Sequence, residues 1–74
     1  RAMMERLKQA QKEFKESNLR VKELLDELAR RRKNGEALEE ITARLETAAA
    51  AMKERRAKLR ELERKLRRQR DDEE

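Results

Sequence analysis

Few residues of this chain carry chemistry. Ser17 is the one serine among 74 residues, and there is no His or Cys. Nucleophilic catalysis needs a hydroxyl or thiol with a base in reach, and with no His or Cys and a single Ser no such arrangement is recognisable. Zinc and related metals draw on His and Cys, so the usual ligand sets are missing too. One Gly and no His exclude Gly-rich phosphate loops and the His-Glu-x-x-His zinc helix. Acid–base work by two carboxylates needs surroundings that set them apart, whereas pairs such as Glu39–Glu40 lie in sequence among charges of both signs. No catalytic, cofactor or metal site is expected, and the chain is read as a non-enzyme.

The charge pattern is more suggestive. Between Lys53 and Arg70 ten Lys or Arg stand against Glu54, Glu61 and Glu63, a local +7 within an overall +5. Such a stretch can attract phosphates, with affinity falling steeply as salt rises. The single aromatic, Phe14, leaves no stacking platform for unpaired bases. Glu54–Lys58, Glu61–Lys65 and Glu63–Arg67 have the spacing of helical ion pairs, and Glu5, Glu13 and Glu16 can offset further charge from the other arm. A solvated charged face is the preferred reading, with nucleic acid kept as an alternative. The longest apolar run, Ala48 to Met52, is far short of the roughly 20 residues a membrane span needs, and no targeting segment is recognisable. A soluble chain is expected, and its start at Arg1 suggests that a preceding segment was removed.

These residues must be held by something, and composition indicates what. Charged residues make up 53% of the chain, there is no Pro, and Ala, Glu, Lys, Leu and Arg dominate, as in long helices and coiled coils. Ten of the apolar side chains are only Ala, which leaves sixteen large ones. Chains below ~70–80 residues seldom build an adequate core without disulfides, metal or oligomerisation, and here only the last remains.

Large residues recur at the 3.5-residue coiled-coil period. In the first arm the seam runs Met3, Leu7, Ala10, Phe14, Ser17, Val21, Leu24, Leu28, with Leu7, Phe14, Val21 and Leu28 at heptad position a. In the second it runs Leu38, Ile41, Leu45, Ala48, Met52, Arg55, Leu59, Leu62, Leu66, Gln69. Asn34-Gly35 is the one breaker pair. Arg30, Arg31, Arg32 and Lys33 before it, and Glu36, Glu39 and Glu40 after it, complement the dipoles of a helix ending and a helix starting. The expected fold is all-α: one antiparallel hairpin with helices over about 2–33 and 36–70, a turn at 34–35 and a frayed acidic tail at 71–74. The register that pairs Leu28 with Ile41 also pairs Leu24 with Leu45, Val21 with Ala48, Ser17 with Met52, Phe14 with Arg55, Ala10 with Leu59, Leu7 with Leu62 and Met3 with Leu66. Large residues then repeatedly face small ones.

The flanks of this seam are not fully polar. Met4, Gln11, Asn18 and Leu25 occupy position e of the first arm, with Leu19 outside them; Ala49 and Ala51 flank the second. So wide a stripe suits a helix with more than one neighbour, and a second hairpin is expected to complete a four-helix or larger bundle. Ala48 to Ala51 either admits a neighbouring helix closely or simply favours helix. Ser17, Asn18 and Gln11 from two or more chains are expected to form a polar layer near mid-bundle that sets oligomer state, unless they lie at a wet rim. Arg55 is expected to stack on Phe14 or reach a neighbouring chain's acid.

Regular heptads, charge-matched helix ends, a short turn and alanine filling together resemble de novo designed helical hairpins. The likeness spans the chain, is one of style and carries no signature motif. It implies a scaffold whose partner is itself, foremost as a homodimer, with trimers or higher forms open. Leu19, the seam Arg55 and the acidic Asp71–Glu74 depart from the style. A module binding another protein through Leu19, Met4 and Leu25 is the rival. Small natural RNA-binding four-helix dimers share the architecture, so nucleic acid also stays open.

Overall fold

The computed structural model describes residues 2–73, with side chains through Arg70. The chain is an all-α antiparallel hairpin. Helix α1 covers Ala2–Lys33 and α2 covers Glu39–Glu73, and together they form a rod of 60 × 15 × 14 Å. No helix-breaking residue interrupts either arm, so propagation adds one hydrogen bond for each residue fixed. For the same reason α2 runs on to Glu73, past the helix end expected near residue 70; Glu74 lies outside the described residues.

The connection is longer than the expected two-residue turn, because α1 ends in a specific cap. Gly35 takes φ +71°, its N–H donates to the Arg32 carbonyl (3.2 Å), and the Glu36 N–H reaches back to Arg31 (2.9 Å). This pairing of a 6→1 and a 5→2 bond is the Schellman motif, with glycine at its left-handed position. It ties Glu36 to the first helix, so Glu36 cannot open the second. The chain then needs Glu36, Ala37 and Leu38 to cross between helix axes. The Leu38 carbonyl accepts from Thr42 N–H (2.9 Å), making Leu38 the residue that caps α2.

The seam lies between the helices, with its tightest burial towards the two ends. Near the open end Leu7, Ala10 and Leu62 are buried, and Met3, Leu59 and Leu66 pack against them. Near the turn Leu24 and Ile41 are only 1% and 0% exposed. Between these nodes Phe14, Val21, Leu45, Ala48 and Met52 are half-buried, as are Leu28 and Leu38 towards the turn. The one buried polar residue among those described is Ser17, at 4% exposure, close to the middle of the rod.

Candidate assembly interface

Ser17 sits where an apolar layer would otherwise be, and its burial is compensated. Its Oγ donates to the Glu13 carbonyl one turn earlier (2.9 Å) and accepts a hydrogen bond from Arg55 Nη1 on α2. Among the described residues no buried side-chain nitrogen or oxygen lacks a partner. Within the hairpin, Arg55 is thus hydrogen-bonded to Ser17. Arg55 as a whole remains exposed although one guanidinium nitrogen reaches the buried hydroxyl.

Beside this bond the surface opens into a groove of about 510 Å³ between the helices. Ala43, Thr47, Ala48 and Ala51 give it a small-residue floor on α2, and Glu16, Arg20, Arg44 and Arg55 carry its charges. The groove is there because alanines take the place of longer side chains at the half-buried middle of the rod. Arg44 is held towards Glu40 by an exposed ion pair one turn back. Thr47 donates its hydroxyl to the Ala43 carbonyl one turn earlier (3.2 Å).

The residues expected at an oligomer interface fall into two groups. Ser17, Ala51 and Arg55 line the groove. Met4, Leu19 and Leu25 stand 43%, 56% and 48% exposed, and Gln11 and Asn18 are exposed as well. Asn18 and Leu25 occupy the opposite flank of α1 from Arg20, since in an antiparallel pair position g borders one groove and position e the other. Ala49 is half-buried on that second side of α2. Asn18 and Gln11 are therefore exposed on the flank of α1 away from the groove that Ser17 lines. Glu16, Arg20, Arg44 and Thr47 are groove residues that the apolar pattern does not single out. Their signal was the g line, Arg20 with Arg44 and Ala51, which antiparallel pairing brings together.

No protein-family model, curated protein or solved structure matches the chain.

The basic stretch of α2 is mostly exposed, with Arg60, Arg64 and Arg67 around a shallow hollow that also contains Glu63. Glu61 binds Arg64 (3.1 Å) and not the expected Lys65. Glu27–Arg31 (2.8 Å) and Glu40–Arg44 are the other ion pairs among the described residues, so all three lie within one helix and none bridges the two. Among the described residues no group of His, Cys, Asp or Glu could hold a metal ion, and no helix is long and apolar enough to cross a membrane.

Proposed function

We propose that the chain is a non-catalytic structural module that assembles with copies of itself into a helical bundle, first of all a four-helix homodimer. Its exposed area carries this reading. The isolated hairpin presents 6361 Å² to solvent. A compact folded chain of its 8.9 kDa mass presents about 4,800 Å², an excess of roughly 1,500 Å² for this rod. That excess is about twice the ~800 Å² that each partner contributes to a standard protein–protein interface. A two-helix seam also leaves Phe14, Val21 and Met52 only half-covered, and a second hairpin would supply the missing contacts. Uniform heptads and charge-matched helix ends support an engineered origin for such a module.

Sedimentation equilibrium over about 10 µM to 1 mM tests this reading, which expects mass to rise from one chain to at least two. Met4, Leu19 and Leu25 favour a second reading, a binding module for another protein, because they are the large apolar side chains left most exposed. A folded species of single-chain mass throughout that range would favour the binder.

A further inference from the structure

The floor of the groove continues a second line of residues along α2. Glu40, Arg44, Thr47, Ala51, Glu54 and Lys58 step four and three alternately, so they form a second 3.5-residue seam beside the hairpin's own. All of them are exposed except Ala51, which is half-buried. Their order of character is acid, base, small, small, acid, base. Reversed, that order is its own charge complement.

We propose, resting on the self-assembly reading, that a second copy closes this groove through an antiparallel, two-fold contact between the two α2 helices. The register sets Arg44 opposite Glu54 of the partner subunit and Glu40 opposite Lys58 of the partner subunit. Thr47 and Ala51 then meet each other's equivalents at the centre. Three observations support the choice of a second copy. The groove's charged residues are Arg20, Arg44 and Arg55 against the lone acid Glu16, so its occupant must bring carboxylates beside small side chains. The middle of α2 offers that combination, with Glu54 next to Thr47 and Ala51 on the same line. A parallel arrangement in register would set each charge against its own copy, whereas the antiparallel one satisfies every charged position and closes on itself. The Glu40–Arg44 pair seen in the single chain is exposed, so exchanging it for contacts across the axis costs little.

Charge reversal tests the register. Arg44→Glu and Glu54→Lys, each alone, set like charges opposite one another twice per dimer. Each is expected to weaken dimerisation about tenfold or more at low salt. An equimolar mixture of the two variants re-pairs both contacts, as does the Arg44→Glu/Glu54→Lys double variant, and each is expected to recover to within roughly threefold of the parent. Circular dichroism at a concentration where all forms are monomeric verifies that every variant keeps its helices. Single variants that dimerise like the parent, a mixture and double variant that fail to recover, or a parent that assembles beyond a dimer would each overturn this contact while leaving self-assembly standing. A parent that stays monomeric at about 1 mM would instead overturn the self-assembly reading on which it rests.

Discussion

Arg55 of α2 donates a hydrogen bond to the Oγ of Ser17 on α1, and the same oxygen donates onward to the Glu13 carbonyl. This joins a surface cation to the one buried polar group among the described residues. It also gives the middle of an otherwise apolar seam a directional contact. A polar group at such a position costs stability unless satisfied, and here both the donor and the acceptor capacity of the hydroxyl are used.

The bond across the helices has a measurable worth. Arg55 is exposed, so the contact is partly screened and worth less than a fully buried charged hydrogen bond. Urea denaturation of Ser17→Ala, Arg55→Ala and the double variant should give a coupling of about 0.5–1.5 kcal/mol. Additive effects would show that the two side chains act independently.

Burial separates two leucines with otherwise similar sequence surroundings. Leu24 is 1% exposed and Leu19 56% exposed. Leu24→Ala should cost about 2–5 kcal/mol, enough to unfold a chain of this size. Leu19→Ala should stay within about 0.5 kcal/mol in folding stability. Thermal melts of the two variants side by side check the contrast.

Gly35 is the position where the backbone constrains residue choice. At φ +71° nothing lies within 4 Å of an added Cβ, so substitution meets a conformational cost and no clash. Gly35→Ala should lose about 1–2 kcal/mol, and Gly35→Asn less, because asparagine tolerates the left-handed region. Equal losses in chemical denaturation would contradict this account of the turn.

The basic half of α2 should bind duplex nucleic acid only weakly. Its charge is interleaved with Glu54, Glu61 and Glu63, and Glu61 is drawn to Arg64. Any gel retardation seen at low salt should vanish by about 150 mM. Retention of the complex at that salt would restore the nucleic-acid alternative.

The hairpin was legible in the sequence because its signals agree at several levels: period, charge at helix ends, and one breaker pair. The length of the connection was not, since a Schellman cap depends on carbonyls of Arg31 and Arg32 that no residue type announces. The partner of Arg55 was missed for a related reason. Pairing seam positions layer by layer assumes that side chains stop opposite their own Cα, but a long arginine reaches about a turn further and found the serine hydroxyl. The groove was hidden because an apolar pattern reports what is filled, while the groove follows from the small volume of Ala43, Ala48 and Ala51.

Self-assembly is the central claim, and light-scattering mass behind size exclusion across a hundredfold concentration range tests it most directly. Mass should rise from the 8.9 kDa of one chain towards at least twice that value, with helicity retained throughout. A folded, helical protein of single-chain mass at every concentration would contradict it.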